Sequence, residues 1–219
     1  DFSADTNTTG TNVIDLGAID ATMTVTGSSG RDDVSLSDED FDMIVTGGAG
    51  NDVLVSTAAA NTDTFVFAST GALNGLDTIT GVVGTGKDIL DVSAFLSGGS
   101  FNSTDVAIAG SADVAIDNKV VMISTTTAAD VDTIAEIAAL IQGAGDALSL
   151  ASGGKGIVLS GDASGDNDIM NIFFVDDTLG AVAGTTSADD VVKVATFSTF
   201  GGVTVDLDTI IAANFDFIV

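Results

Sequence analysis

Apolar and polar positions alternate from early in the chain. Ala21-Thr22-Met23-Thr24-Val25-Thr26 switches with period two, the pattern of a strand with one buried face. Its threonines suit a pleated, half-buried surface. Before it, Thr9-Gly10-Thr11 is a turn and Asn12 to Leu16 an apolar run, so residues 1–26 read as leading strands or an assembly segment. Val53-Leu54-Val55 predicts another short strand, with Leu54 pointing inward. The Gly/Ser-rich stretch Leu96 to Asn102 marks a boundary. Short strands come next at Val106-Ala107-Ile108, Val114-Ala115-Ile116 and Lys119 to Ser124. The period then changes: Thr126 to Asp130 reads as a helix start, and Ile134, Ile137, Ala138 and Ile141 recur at helical spacing before Gly143. One helix near 128–142 is predicted. Gly156 to Ser160 and Asn171 to Val175 are nearly unbroken apolar runs, as buried central strands are. Val191 to Phe197 and Val203 to Leu207 add two more. The chain is therefore expected to be mainly β with one α-helix, divided into 1–26, 27–96 and 97–219.

Residues 27–96 hold strands separated by glycine and aspartate. Gly47-Gly48-Ala49-Gly50-Asn51-Asp52-Val53-Leu54-Val55 fits the nonapeptide G-G-x-G-x-D-x-U-x, U being a large apolar residue, at every specified position. That signature belongs to a calcium-binding parallel β-helix repeat. Glycines allow positive φ and a tight turn. Main-chain carbonyls and the Asp52 carboxylate then face one point, which suits a hard cation that binds through oxygen. Partial copies begin at residues 27, 37, 58, 72 and 83. They retain Asp32, Asp42, Asp63, Asp77 and Asp88 respectively, each with an apolar residue two positions on. Candidate calcium ligands are thus Gly27, Ser29, Asp32, Gly47, Ala49 and Asp52, then Asp42, Asp63, Asp77, Asp88 and Asp91. A parallel β-roll turns alternately on two edges, so Asp32, Asp52 and Asp77 should align on one and Asp42, Asp63 and Asp88 on the other. The plainer alternative is that Asp and Gly only mark turns between ordinary strands.

These residues resemble the C-terminal part of bacterial RTX proteins. Besides the repeat at 47–55, Asp63-Thr64-Phe65-Val66-Phe67 looks like the apolar strand that closes such arrays. Leu76 to Thr80 and Gly86 to Phe95 are similar to the family's GxDTI and GxDxIDLSAF flank. The resemblance covers about residues 27–96. It implies an RTX-like parallel β-roll or β-helix followed by a β-rich module, bound Ca²⁺, export by the type I secretion machinery, and folding outside the cell. Asn171 to Phe215 is similar in pattern to the closing module of type I-secreted surface proteins. Phe215-Asp216-Phe217-Ile218-Val219 resembles the uncleaved export signal within 213–219, and reads equally as a terminal core strand.

Charge sharpens the picture. Against 32 acidic residues stand five basic ones, for a net charge of −27, and Glu39 and Glu136 are the sole glutamates. Aspartate is the shorter acid, suited to turns and calcium loops. With 45% hydrophobic residues the chain has apolar surface to bury, so it is no disordered acidic tail. Self-repulsion opposes compaction, and bound divalent cations would relieve it. The scattered Arg31, Lys87, Lys119, Lys155 and Lys193 make nucleic acid an unfit partner. No run of about twenty apolar residues offers a membrane span. Neither His nor Cys is present, which removes His-based relays, His zinc sites, thiol chemistry and disulfides. The loop Gly161 to Asp168 carries three close aspartates, read as a solvated turn or a further calcium loop. The expected protein is non-catalytic: a secreted, calcium-binding structural subunit that self-assembles as an oligomer or polymer in an S-layer, filament or matrix. The alternative is a calcium-dependent export and folding module of a larger type I-secreted enzyme or adhesin.

Overall fold

A computed structural model of the chain describes residues 10–16, 21–36, 41–56, 61–81, 88–105, 114–123, 131–141, 148–161, 169–177, 190–199 and 212–217. In chain order its N-terminal strands are β1 (Thr11–Asp15), β2 (Thr24–Thr26), β3 (Arg31–Leu36), β4 (Ile44–Thr46), β5 (Val53–Ser56) and β6 (Thr64–Val66). A one-turn helix α1 (Gly71–Asn74) precedes β7 (Asp77–Gly81) and β8 (Ile89–Asp91). Then come β9 (Ser100–Asp105), β10 (Val114–Ala115), β11 (Lys119–Ile123), α2 (Ile134–Ile141), β12 (Leu148–Ser149), β13 (Lys155–Gly161), β14 (Ile169–Asp176), β15 (Val191–Thr199) and β16 (Phe215–Asp216). The protein is mainly β, with one helix longer than a single turn among the described residues.

From β1 to β8 the chain alternates between two parallel sheets. The odd strands pair β1-β3-β5-β7 and the even ones β2-β4-β6-β8. Period-two patterning explains why. Each short strand brings an inward apolar residue to the same level of the stack: Ile14, Val34, Leu54 and Ile79 from one sheet, Val25, Val45, Phe65 and Leu90 from the other. All of them lie in one core cluster between the sheets. No single short strand could bury its apolar side alone, so stacking is what makes each strand stable.

The Gly/Ser-rich segment at 96–102 does not separate these sheets from the C-terminal strands. It turns at Gly98, whose φ is +69°, and Ser100 already begins β9. β15 pairs in parallel with β7, and β16 with β8. One nine-stranded sheet therefore runs β1-β3-β5-β7-β15-β14-β13-β11-β9, and a five-stranded sheet runs β16-β8-β6-β4-β2. β13, β14 and β15 are antiparallel neighbours, and β13 and β14 are almost wholly buried, as their apolar runs predict. Phe95 stacks on Phe174 of β14 with centroids 4.1 Å apart, tying the end of β8 to the centre of the larger sheet.

The predicted helix is present but starts later than 128. The Thr133 hydroxyl accepts the Glu136 N–H at 3.3 Å, and the Glu136 carboxylate accepts the Thr133 N–H at 3.1 Å. This reciprocal capping box fixes the first turn. Ile137, Ala138 and Ile141 then bury against Ile123, Val158 and Phe173 in a second core cluster. Residues 126–130, the expected stop Gly143, the strands at 106–108 and 203–207 and the loop 162–168 lie outside the described residues, as do 218–219. Helix α1 is not expected from its sequence. It accommodates a change of offset: Asp32 and Asp52 are 20 residues apart, whereas Asp52 and Asp77 are 25 apart.

Candidate functional site

Along one edge of the larger sheet, Asn12, Asp32, Asp52 and Asp77 occupy successive rungs. Asn12 stands opposite Asp32, and the register of β3, β5 and β7 carries the row through Asp52 to Asp77. The Asp32 N–H donates to Asp52 Oδ1 at 2.8 Å, and the Asp52 N–H donates to Asp77 Oδ1 at 3.0 Å. Each carboxylate thus satisfies a main-chain donor of the coil before it. Asp32 receives more: the Asn12 amide at 2.7 Å, the Ser28 N–H at 2.6 Å and the Ser28 hydroxyl at 2.9 Å. The expected alignment of Asp32, Asp52 and Asp77 is present.

On the other edge the expectation needs correction. The row reads Met43, Asp63, Asp88, because Ile44 pairs with Thr64 and Thr64 with Ile89. The Met43 N–H donates to Asp63 Oδ1 at 2.9 Å, and the Asp63 N–H to Asp88 Oδ1 at 3.1 Å. Asp42 falls one residue out of step, is exposed, and instead accepts the Thr62 N–H at 2.8 Å. A slip of one residue moves a side chain to the opposite face. The buried Met43 fills the place expected for Asp42. Asp91 belongs to neither row; its carboxylate accepts the Ser93 N–H at 2.9 Å and closes the turn after β8.

The glycines set how closely these turns stack. A Cβ on Gly47 would lie 2.5 Å from Asp52 Oδ2, so a side chain there would displace the carboxylate. Gly48 holds φ +99° against the Ser28 carbonyl, a conformation that L side chains rarely adopt. Gly27 is buried, Ala49 is half-buried and donates its N–H to the Ser28 carbonyl at 3.1 Å, and Ser29 is exposed.

Five aspartates of the two rows are buried: Asp32, Asp52, Asp63, Asp77 and Asp88. Burial is the main cause that lifts the Asp52 carboxyl to about 6; the Asp32 N–H works against it, and the Asp32 and Asp33 charges add to it. Burial raises Asp77 further, to about 8, and raises Asp63 as well. Of these five, Asp52 and Asp63 each keep one buried oxygen, Oδ2, without a hydrogen-bond donor. The Ser56 hydroxyl opposes the rise at Asp63 without meeting hydrogen-bond geometry, so Asp52 Oδ2 is the barer of the two. A buried ionised carboxylate normally has a partner, because leaving it bare costs far more than one lost hydrogen bond. Chemically these two oxygens fit a hard cation. Among the described residues no three His, Cys, Asp or Glu side chains converge as a metal cluster. No rung offers more than one carboxylate to its row, so a cation here would draw its remaining oxygens from main-chain carbonyls or water.

No family model, curated protein or solved structure matches this chain.

Asn12, Ser28 and Met43 do not stand out in the sequence. Asn12 could have been found from its offset of 20 to Asp32, the offset that also separates Asp32 from Asp52. Ser28 could have been found as the one departure from the first two glycines of the template. Between the neighbouring strands β13 and β14, Lys155 pairs with Asp176 at 2.9 Å, and the Gly153 N–H donates to Asp177 at 2.7 Å. These contacts hold the end of β14 to the turn before β13. None of the described helices is long and apolar enough to cross a membrane.

Proposed function

We propose that this chain is a secreted, calcium-binding structural protein of the RTX type. In this reading β1 to β8 are the coils of a parallel β-roll that closes outside the cell, and the chain assembles with further copies at the surface or in an extracellular matrix. The single observation that carries the reading is Asp52 Oδ2, a buried carboxylate oxygen with no donor, in the one turn that fits the calcium template throughout. Asp52 and Asp63 would hold the ions, with the glycine-rich turn around Gly47 and Ala49 contributing carbonyl oxygen. A bound Ca²⁺ supplies positive charge that lets these acids stay ionised while buried. The chain's own part is to present one carboxylate per rung and to keep side chains out of the space beside it. Extracellular calcium modules have dissociation constants of about 10⁻⁴–10⁻³ M. Such a site is empty in the cytosol and filled outside, so that binding adds to folding free energy only after export.

The chain acts without catalysis in this proposal, as a scaffold. A second reading is an export and folding module of a larger type I-secreted enzyme or adhesin. It is favoured by the net charge of −27, which makes copies of the chain repel one another. One titration tests both. Adding calcium to chelated protein should increase strand signal in circular dichroism and raise the melting temperature, with light scattering rising if copies assemble. A spectrum and melting temperature indifferent to calcium would refute the calcium reading. Folding without any rise in scattering would select the module over the self-assembling subunit.

A further inference from the structure

We infer that the turn at 27–32 is closed by the chain's own donors and takes no cation, which leaves the calcium step on this edge to the turn at 47–52. This rests on the proposed calcium-dependent reading and makes it more specific. The two turns look alike in sequence and sit on adjacent rungs, but their aspartates are treated differently. Asp32 receives three neutral donors: the Asn12 amide on Oδ1, and the N–H and hydroxyl of Ser28 on Oδ2. The Ser28 hydroxyl oxygen also accepts the Gly30 N–H at 3.1 Å, which ties the cluster to the turn backbone. Both carboxylate oxygens of Asp32 are therefore occupied.

Asp52 lacks the counterparts of all three donors. The residue equivalent to Ser28 is Gly48, which has no hydroxyl and sits at φ +99°, whereas Ser28 is not at positive φ. The residue equivalent to Asn12 is Asp32, which gives Asp52 only a main-chain N–H and brings a negative charge of its own. Asp52 Oδ2 is left buried and bare. Two positions thus separate a self-sealed rung from one that needs a cation: serine or glycine at the second place of the turn, and asparagine or aspartate one rung earlier. The first coil would form in chelator and serve as the template on which the cation-dependent coil closes.

Hydrogen exchange of the unmutated full chain, in chelator and then in excess calcium chloride, tests this directly. The Ser28 and Gly30 amides should be protected in both conditions, while those of 47–52 should slow only with calcium. Calorimetric titration adds a second measure: Asp32→Asn should leave the calcium stoichiometry unchanged, and Asp52→Asn should lower it by one. Asn12→Ala should cut protection of the Ser28 amide on the order of tenfold, as expected for losing one hydrogen bond to a charged group. Protection of Ser28 that appears only with calcium, or a site lost in Asp32→Asn, would overturn the inference and leave the calcium reading standing. Amides of 47–52 equally protected with and without calcium would sink both.

Discussion

The alternating strands β1 to β8 and the block formed by β11, β13, β14 and α2 meet through the larger sheet, to which the odd-numbered strands of the first set belong, but they hold together by different means. Strands β13 and β14 are buried through apolar runs such as Ile157-Val158-Leu159 and Ile172-Phe173-Phe174-Val175. Their stability comes from area removed from water, which depends neither on the protonation of a side chain nor on a bound ion. Strands β1 to β8 are short, and Asp32, Asp52, Asp63, Asp77 and Asp88 are buried at or just before strand starts. Burying a carboxylate helps only when donors or a cation meet its charge. One region should therefore fold wherever the chain is in water, and the other should respond to protons and divalent ions.

Phe173→Ala should produce the largest loss. Phe173 is fully buried in the core cluster that also holds Ile137, Ala138 and Ile141, and such a truncation costs about 3–5 kcal/mol. The drop in melting temperature should be the same in calcium and in chelator; a drop that calcium reverses would contradict the division between the two regions.

The next effect is on pH. Folded Asp52 and Asp77 titrate at about 6 and about 8, above the ordinary 3.8. The folded state therefore holds protons that the unfolded chain has released. Their contribution to stability is present in full below pH 3.8 and is lost as pH rises through 6 and 8. Chelated protein should melt at a lower temperature at pH 8 than at pH 5, and Asp77→Asn should reduce that difference. A melting temperature in chelator that rises over this range would show that the buried aspartates are compensated some other way.

Thr133→Ala should have the smallest effect. It removes one half of the capping box on α2, worth about 1 kcal/mol, and should do so equally with and without calcium. Calorimetric melting of the variant in both buffers sharpens the comparison, because α2 packs on the apolar block.

Particular residues show how far the sequence can be read. Leu54, Val34 and Ile79 are legible as inward positions because a strand's period of two needs no knowledge of its neighbours. The row Asp32, Asp52, Asp77 is legible for a similar reason, since constant turn chemistry marks corresponding points on successive coils. Asp42 is misplaced by sequence reasoning because its unit keeps too little of the template to fix the count, and only pairing of Ile44 with Thr64 sets the register. The pairings of β7 with β15 and of β8 with β16 leave no local mark, because they join segments more than a hundred residues apart.

The sequence by itself determined a β-rich chain, the helix now seen at Ile134–Ile141, the buried central strands and the row of acidic, glycine-rich turns. These come from local chemistry: side-chain period, cap residues and the backbone freedom of glycine. Tertiary structure alone decided that the leading strands and the C-terminal strands belong to the same two sheets, and that Asp32 is fully bonded while Asp52 is not. Those outcomes depend on which residues meet across the stack, and the energy of a buried charge is set by its neighbours in space.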